Sequence, residues 1–360
     1  MFESIEHTIA RLREQHYLCD RKLATVAFLA LQMQKPILIE GPAGVGKTEL
    51  AKAVSAALGR SLIRLQCYGG LDEAHALYEW EYGKQLLYTQ ILRDKIGRLF
   101  EGVDGLHEAV ARLNLHEDVF FSERFLVRRP ILQAIDSPAP VVLLIDELDR
   151  AEEQFEAFLL EVLSDFQVTV PEIGTVKAKT IPYVIITSNN TRDLSDALKR
   201  RCLHLFIDYP DEQRELEIVR MKVPDLRETL AAQVVAVIRR LRALDLRKAP
   251  SISETLDWAR ALVLLDADVL TPTLLEETLH LLVKYDRDTQ RVNERLNWIA
   301  EPVQDPNQTP SSPAPVAATS GPPQQPAEPQ PGDMEQRRQE HTARYFTSYR
   351  GRTDGRTGGA

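Results

Sequence analysis

The sequence predicts an α/β fold, with a parallel five-stranded sheet covered by helices on both faces and a smaller all-helical domain after it. Five short apolar runs, each long enough for one strand, support the sheet; they cover residues 36–39, 62–65, 141–145, 183–187 and 203–207. Helix-like stretches separate most of these runs, which is typical of a parallel sheet buried on both faces. After residue 210 the strands stop, and residues 211–298 have helical periodicity. We therefore expect an α/β domain over residues 1–210 and a helical lid domain over residues 211–298.

Two insertions interrupt the alternation of strands and helices in the α/β domain. Residues 70–125 lie between the second and third apolar runs, and their sequence predicts mostly helical structure. Residues 167–180 alternate apolar and polar side chains on both sides of a short stretch that runs from a proline to a glycine. Such alternation around turn residues predicts a β-hairpin.

The C-terminal part of the sequence has a different composition. Ten of the chain's 21 prolines fall within residues 301–332, together with Gln, Ser and Ala. Because such a segment cannot bury enough apolar surface to fold, we expect residues 299–333 to be a disordered linker. Residues 334–360 carry six arginines and end in a Gly-rich tail. We expect this tail to be mostly disordered, either as a solvated segment or as a short motif that binds a partner.

Composition narrows the classes of function. The formal net charge is −9, which argues against nucleic-acid binding and against an anionic membrane surface. No apolar run reaches the roughly 18 residues that a membrane helix needs, so no membrane insertion is expected. The three cysteines, Cys19, Cys67 and Cys202, are far apart, odd in number and without metal-ligand spacing. A reduced, cytoplasmic location fits them best.

The strongest motif in the sequence lies directly after the first predicted strand. Residues 41–48 match G-x-x-x-x-G-K-[ST], and the members are Gly41, Pro42, Ala43, Gly44, Val45, Gly46, Lys47 and Thr48. A helix is predicted to begin at Glu49, so the motif has the strand and helix context of a phosphate-binding loop. The alternative, a chance Gly-rich turn before a helix, does not account for that context.

Each part of this loop has a chemical use in binding ATP with Mg²⁺. Glycines allow successive backbone N–H groups to turn toward a phosphate, and the helix N-terminus adds its positive end. Lys47 supplies a positive charge for the β- and γ-phosphates, and Thr48 a hydroxyl for Mg²⁺. We include Glu49, at the start of the helix, in the predicted nucleotide site.

An acidic pair follows the third predicted strand, as a phosphate loop of this type requires. Residues 141–145 form an apolar run, and Asp146 and Glu147 come next. Asp146 is predicted to hold Mg²⁺ with Thr48, and Glu147 to orient and polarise the attacking water. The alternative is two solvated acids at a strand end. The presence of the phosphate loop argues against it, because the loop and the acidic pair are meaningful in combination.

These motifs, with two later features, resemble those of the AAA+ ATPases. The later features are a strand that ends in polar residues and a basic segment after it, Ile185-Ile186-Thr187-Ser188-Asn189 and Asp196-Ala197-Leu198-Lys199-Arg200-Arg201. Within AAA+ the chain resembles the MoxR family over about residues 15–298, because that family has a helical insertion and a hairpin where residues 70–125 and 167–180 lie. It is most similar to the CoxD-like members, which are associated with maturation of carbon monoxide dehydrogenase and related molybdenum enzymes.

The resemblance implies roles for three further residues. By matching position Asn189 is the first sensor, which contacts the attacking water or the γ-phosphate; the residue type alone also fits a turn. Arg200 and Arg201 match the arginine-finger region, which completes a neighbouring subunit's site; they also fit a solvated basic helix end. The resemblance further implies a homo-oligomeric ring, with the hexamer as the leading ring size, a partner with a von Willebrand factor A domain, and a client enzyme.

The sequence departs from the family pattern in two places. The family's acidic motif usually runs on to Asn-Arg-Ala, whereas this chain has Asp149 in place of the Asn. Where a second-sensor arginine is usual, this chain has Glu254, and Arg260 follows about a turn and a half later as a possible substitute. Arg150 fits either a subunit interface or an ion pair with Glu153.

An aromatic cluster in the predicted insertion has two interpretations. The residues are Tyr78, Trp80, Tyr82 and Tyr88. They fit packing within the insertion, and they also fit an exposed patch that binds a partner.

The leading hypothesis for function is an ATPase that hydrolyses ATP to ADP and phosphate and thereby remodels or helps to assemble a client enzyme. A DNA-directed motor is a second hypothesis, against which the acidic charge weighs. A small-molecule kinase or GTPase is a third; the Glu after the magnesium Asp and the absence of an N-K-x-D motif in the sequence argue against it.

Overall fold

The computed structural model describes residues 2–91, 125–170 and 174–301 of the chain. Its strands in chain order are β1 (Ile37–Glu40), β2 (Ser61–Gln66), β3 (Tyr78–Trp80), β4 (Leu126–Arg128), β5 (Val141–Asp146), β6 (Gln167–Val170), β7 (Gly174–Lys177), β8 (Tyr183–Ser188) and β9 (Leu203–Phe206). Its helices in the first two thirds of the chain are α1 (Ile5–Glu14), α2 (Arg21–Met33), α3 (Lys47–Leu58), α4 (Glu73–Leu77), α5 (Tyr82–Ile91), α6 (Pro130–Ile135), α7 (Glu153–Asp165) and α8 (Asp196–Arg201). Those in the last third are α9 (Glu212–Lys222), α10 (Glu228–Ala243), α11 (Ile252–Leu264), α12 (Pro272–Thr278), α13 (Asp286–Asn293) and α14 (Leu296–Ile299).

The predicted five-stranded parallel sheet is confirmed. Its strand order is β2-β5-β8-β1-β9, and all four neighbouring pairs are parallel. The register aligns the strand ends, since Gln66 pairs with Asp146 and Glu40 pairs with Ser188. Residues that follow β1, β5 and β8 therefore meet at one edge of the sheet, where ligands of open α/β sheets bind.

Helices cover both faces of this sheet, as predicted. Side chains of β5 alternate between the two cores: Val142 and Leu144 belong to the core with α1, α2 and α3, whereas Leu143 and Ile145 belong to the core with α6, α7 and α8. All four are buried. This two-sided burial explains why the strands are continuous apolar runs in the sequence.

The described ends of the predicted insertion contain two helices, α4 and α5, with the short strand β3 between them. β3 pairs antiparallel with β4, although α4 and α5 on either side of β3 are helices. Tyr78 and Trp80 pack against the core of the sheet while Glu79 between them is exposed, and aromatic residues on one face of an alternating segment favour a strand. Residues 92–124 lie outside the described residues.

Two strands occupy the segment for which a hairpin was predicted. β6 and β7 pair antiparallel, with Val168 opposite Val176. Residues 171–173, where the turn is predicted, lie outside the described residues.

The last third of the described chain is helical and has its own apolar core. Trp258 is fully buried there, and its indole Nε1 donates to Thr278 Oγ1 at 2.8 Å. The helical fold continues past the predicted end at residue 298, because Ile299 in α14 is fully buried and Ala300 nearly so. The predicted linker and tail beyond residue 301 lie outside the described residues.

None of the helices within residues 2–91, 125–170 and 174–301 combines the length and apolar character that a bilayer-spanning segment needs.

Candidate functional site

The glycine-rich loop runs from β1 into α3, and Lys47 is the first residue of that helix. The Lys47 side chain is buried and its Nζ donates three hydrogen bonds, to Gly41 O at 2.6 Å, Pro42 O at 2.7 Å and Asn189 Oδ1 at 2.8 Å. Burial lowers the pKa of Lys47 to about 8, against the attraction of Asp149, Asp146 and Glu147. Hydrogen bonds therefore hold the ammonium group against the loop and connect it to Asn189, which follows β8.

Two glycines of the loop are required by close approach as well as by backbone conformation. Gly44 has φ +76°, and a Cβ there would lie 2.3 Å from the Cβ of Ser251, at the start of α11. Gly41 has φ +153°, and a Cβ there would lie 1.9 Å from the carbonyl oxygen of Ile207. Side chains at either position would displace the chain segments that enclose the loop.

Asp146 ends β5 and is almost fully buried beside the loop. Its carboxylate accepts from Thr48 Oγ1 at 3.1 and 3.2 Å and from Thr187 Oγ1 at 2.6 Å. It also forms an ion pair with Arg64, whose Nη2 lies 2.6 Å away. The sequence-based reasoning missed Arg64. Arg64 lies two residues before Gln66 and therefore on the same face of β2, but only the register that pairs Gln66 with Asp146 brings Arg64 to that carboxylate.

Glu147 has the left-handed conformation, with φ +56°. Its N–H donates to Thr187 Oγ1 at 2.9 Å, and its carboxylate accepts from Gln66 Nε2 at 3.0 Å. Arg150 pairs with the same carboxylate at 3.0 Å. Of the two alternatives for Arg150, a subunit interface or an ion pair with Glu153, the second is not formed, because the turn Leu148–Arg150 brings Arg150 back toward Glu147.

Asn189 follows β8 and is hydrogen-bonded through both its side chain and its backbone. Its side-chain oxygen accepts from Lys47, and its backbone N–H donates to Asp149 Oδ1 at 3.1 Å. Asp149 stands at the position where the Asn-Arg-Ala pattern has Asn. Its other oxygen, Oδ2, accepts from the Thr191 N–H at 3.0 Å and from the Thr191 hydroxyl at 2.6 Å.

Arg200 and Arg201 lie at the end of α8, and both side chains are exposed. Arg201 contacts the Ser164 hydroxyl at the end of α7. Within the part of the chain that the structure describes, the Arg200 side chain has no hydrogen bond or ion pair, and neither arginine side chain bonds to residues 41–48 of its own chain.

A cavity of about 590 Å³ opens beside the loop. Its walls are the loop itself, residues 16–23, the end of β9, and the helices α9 and α11. Ion pairs join its walls, including Lys222 with Glu49 at 3.0 Å and Arg214 with Asp20 at 3.3 Å. This volume is within the range of small-molecule and cofactor sites, and the cavity lies between the α/β part and the helical part of the chain.

Glu254 and Arg260, the two residues at the departure from the second-sensor pattern, differ in role. Glu254 closes a capping box at the start of α11, accepting from the Ser251 N–H at 2.8 Å, and pairs with Lys248. Arg260 lines the cavity and pairs with Asp257 at 3.0 Å. Glu254 is therefore part of the helix start, whereas Arg260 is a cation that the helical part presents to the cavity.

The residues present fit a magnesium ion. Among residues 2–91, 125–170 and 174–301 no cluster of three or more His, Cys, Asp or Glu side chains could hold a metal by itself. Mg²⁺ does not need such a cluster, because it is usually bound through one or two protein oxygens, waters and substrate phosphates. The Thr48 hydroxyl and the Asp146 carboxylate supply two adjacent oxygen donors beside the phosphate loop.

Comparison with known proteins gives the class of the α/β domain. Residues 37–209 match the family described as ATPase family associated with various cellular activities (AAA). These residues therefore form an AAA ATPase family domain, and the protein is an ATPase that hydrolyses ATP to ADP and phosphate.

Relatives were also found over larger parts of the chain. An uncharacterized protein, SH1500 of Staphylococcus haemolyticus (strain JCSC1435), is 24% identical over 74% of this chain and 90% of its own length. The gas vesicle ATPase GvpN of Haloferax mediterranei is 27% identical over 59% of this chain, and that of Ancylobacter aquaticus 26% identical over 65%. The chain spans 58% and 62% of the length of these two proteins.

Among solved structures the chain is similar to the Thermotoga maritima RuvB Holliday junction branch migration motor. The sequence identity is 15% and the TM-score 0.42, over 82% of this chain and 79% of that one.

Proposed function

We propose that this protein is a magnesium-dependent AAA+ ATPase of the MoxR type, which works as a ring and remodels or helps to assemble a client enzyme. The main observation in support of an ATPase site is that the ends of β1, β5 and β8 lie together at one edge of the sheet. There Lys47 bonds to Asn189, and Thr48 bonds to Asp146. The chain segments that supply these four residues are far apart in the sequence and meet beside one phosphate loop.

The loop and the adjacent acid hold the triphosphate of ATP. The first N–H groups of α3 have no intrahelical acceptors and point toward the loop, and Lys47 adds its ammonium charge. Thr48 and Asp146 would hold Mg²⁺, which would supply positive charge beside the phosphates. The ribose and base then fit the 590 Å³ cavity that continues from Gly44, Gly46 and Glu49.

Glu147 and Asn189 act on the water and the γ-phosphate. Glu147 is partly exposed next to Asp146, and its backbone is fixed by Thr187. A carboxylate in that position can accept a hydrogen bond from the attacking water and orient it. Asn189 accepts a hydrogen bond from the Lys47 ammonium, so its side-chain amide lies close to the same phosphate.

The ring is proposed from the position of the two arginines. Arg200 and Arg201 are exposed at the end of α8 and do not reach their own phosphate loop in the described structure. A cation that stabilises a transferring phosphoryl group must lie next to it. We therefore assign these arginines to the site of a neighbouring subunit, in a ring that we expect to be a hexamer.

The client and partner are proposed from the resemblance to the MoxR family, and the similarity to gas vesicle ATPases over about three fifths of the chain supports that type of ATPase. The client class is a molybdenum hydroxylase such as carbon monoxide dehydrogenase, and the partner a protein with a von Willebrand factor A domain. The test is whether purified candidate proteins bind the ATP-loaded Glu147→Gln ring more tightly than the Lys47→Ala protein. Equal binding to both would contradict a nucleotide-driven role.

The site assignment is tested by Glu147→Gln, which keeps the shape of the side chain and removes the carboxylate. We expect ATP binding within about 3-fold of the wild type and a loss of turnover of at least about 100-fold. The measurements are ATP titration and phosphate release at saturating Mg-ATP. Glu153→Gln, an exposed change of the same kind on α7, is the control and should leave both unchanged. Near-normal turnover of Glu147→Gln would refute the assignment.

A further inference from the structure

The turn after β5 and the loop after β8 are joined by side chains that the reaction itself does not use. The principal connection is Asp149, in the 3₁₀ turn Leu148–Arg150. We infer that Asp149 is a positioning residue for ATP hydrolysis, which holds the Asn189–Thr191 loop so that the Asn189 amide reaches the γ-phosphate and its water. The inference rests on the role proposed above for Asn189.

Both carboxylate oxygens of Asp149 are used by this one loop. Oδ1 accepts from the Asn189 N–H, and Oδ2 accepts from the N–H and the hydroxyl of Thr191, at distances of 2.6 to 3.1 Å. Asp149 is 4% exposed. Hydrogen bonds to an ionised carboxylate are stronger than those between neutral groups, so this contact fixes the loop more firmly than a turn residue would.

The charge state of Asp149 agrees with that use. Burial opposes ionisation of the carboxyl group, but the hydrogen bonds from the Thr191 hydroxyl and from the Asn189 and Thr191 N–H groups prevail and lower its pKa. No lysine, arginine or histidine of the described chain forms a salt bridge with it. The buried charge is therefore stabilised by hydrogen bonds from the loop that carries Asn189 and by attraction to the Lys47 ammonium, with which it forms no salt bridge.

Asn189 is held at both ends by this arrangement. Asp149 fixes its backbone N–H, and its side-chain oxygen accepts from Lys47 Nζ at 2.8 Å. A displacement of the backbone would move the amide relative to the Lys47 ammonium and to the bound phosphate. Misplacement of a reacting or orienting group by about 1 Å can cost about 100-fold in rate.

The residue type at this position matters. Asparagine has the same size as aspartate but only one acceptor oxygen, so its NH₂ group would face an N–H donor of the loop. Asp149→Asn should therefore keep part of the contact, and Asp149→Ala should lose all of it. This ranking distinguishes a hydrogen-bonding role from a role in filling space.

The experiment is steady-state ATP hydrolysis by the full chain. We expect kcat to fall about 10-fold for Asp149→Asn and about 100-fold for Asp149→Ala, while KM for ATP stays within about 3-fold. The matched control is Asp193→Asn in the same loop. Asp193 is exposed, and within the described residues only its backbone carbonyl is hydrogen-bonded. The control should retain wild-type kcat and KM.

A double-mutant cycle tests that Asp149 acts through Asn189. In an Asn189→Ala background, Asp149→Ala should lower kcat by less than about 3-fold, because the group that Asp149 positions is already gone. Full additivity of the two changes, or an unchanged kcat in folded Asp149→Asn, would overturn the inference. A cooperative thermal transition checks folding of each variant. If Asp149→Ala does not fold, Asp149→Asn and Thr191→Val are used in the same cycle.

The outcomes separate this inference from the proposed function. If Asn189→Ala hydrolyses ATP normally, the proposed role of Asn189 is wrong. If Asn189→Ala is impaired but the Asp149 variants are not, only the positioning role of Asp149 is wrong.

Discussion

Buried charges are used differently in the nucleotide-binding part and in the helical part of the chain. Near the phosphate loop, the buried carboxylate of Asp149 is held by N–H and hydroxyl groups of one loop. In the helical part, the buried carboxylate of Glu215 forms a bidentate ion pair with Arg242, at 2.8 Å for each bond. The first arrangement fixes a loop that carries a polar side chain toward the substrate. The second connects α9 to α10 and touches no part of the phosphate loop.

The Glu215–Arg242 pair has further partners that support a role in stability. Arg242 Nε donates to Pro250 O at 2.8 Å, and its guanidinium lies 4.4 Å from the ring centre of Tyr209. Thr255 also approaches the Glu215 carboxylate. Burial of a charge therefore does not by itself indicate a site. Asp149 differs from Glu215 because its carboxylate holds the loop that carries Asn189 beside the phosphate loop, whereas the Glu215 carboxylate is bonded to Arg242 and Thr255.

The largest effect on stability should come from the helical part. Arg242→Met removes one partner of a buried ion pair and leaves Glu215 unpaired, so the free energy of unfolding should fall by about 3–5 kcal/mol. Chemical denaturation measures this change. Arg239→Met is the control on the same helix. Arg239 pairs with Glu212 at the exposed surface, and the loss there should be below about 1 kcal/mol.

The activity of folded Arg242→Met protein tests whether the Glu215–Arg242 pair affects the ATPase site. Because the pair does not touch the phosphate loop, kcat per folded molecule should stay within about 3-fold of the wild type. A large loss of kcat with normal stability would show that the pair acts on the site after all, and the contrast with Asp149 would fail.

A smaller effect, on KM for ATP, is expected where the phosphate loop approaches the start of α11. Gly44→Ala places a methyl group at φ +76° and 2.3 Å from the Cβ of Ser251, the residue that caps α11. Left-handed strain for a non-glycine residue costs about 1–2 kcal/mol, so KM for ATP should rise about 10-fold or more. Substrate titration of ATPase activity measures it.

Gly59→Ala is the matched control for this strain. Gly59 also has a left-handed conformation, φ +65°, at the end of α3, but a Cβ there meets nothing within 4 Å. This variant should lose some stability and keep the wild-type KM. An equal rise in KM for both variants would mean that the contact between the loop and α11 has no part in ATP binding.

The sheet and the phosphate loop could be predicted because their signals are local. Each strand is a short apolar run, and the loop is one motif of eight residues next to its own strand and helix. The capping box from Ser251 to Glu254 is equally local, because the sequence contains its S-x-x-E pattern. The family pattern identifies Glu254 only as a replacement for a second-sensor arginine.

Contacts between distant segments could not be predicted in the same way. Arg64 reaches Asp146 only because β2 and β5 pair in one register. β3 finds its partner β4 after nearly fifty residues of chain. Asp149 is an unusual residue type at its position in the acidic motif, but its contacts depend on how the loops after β5 and β8 approach each other. Periodicity carries no information about such approaches.

The assignment of Arg200 and Arg201 to a neighbour's site can be tested directly by mixing two inactive proteins. One is the double variant Arg200→Ala/Arg201→Ala, which keeps an intact phosphate loop. The other is Lys47→Ala, which keeps intact arginines. In a mixed ring, some interfaces combine a working loop with working arginines from the next subunit, because a charge that stabilises the transferring phosphoryl group can come from outside the chain that binds ATP.

The measurement is ATP hydrolysis by the mixture compared with each protein alone, with mixed-ring formation established by co-purification of differently tagged subunits. We expect the mixture to recover part of the wild-type activity, and never all of it, because many interfaces remain defective. A mixture as inactive as its parts, although mixed rings form, would show that the arginines act within their own chain or not at all.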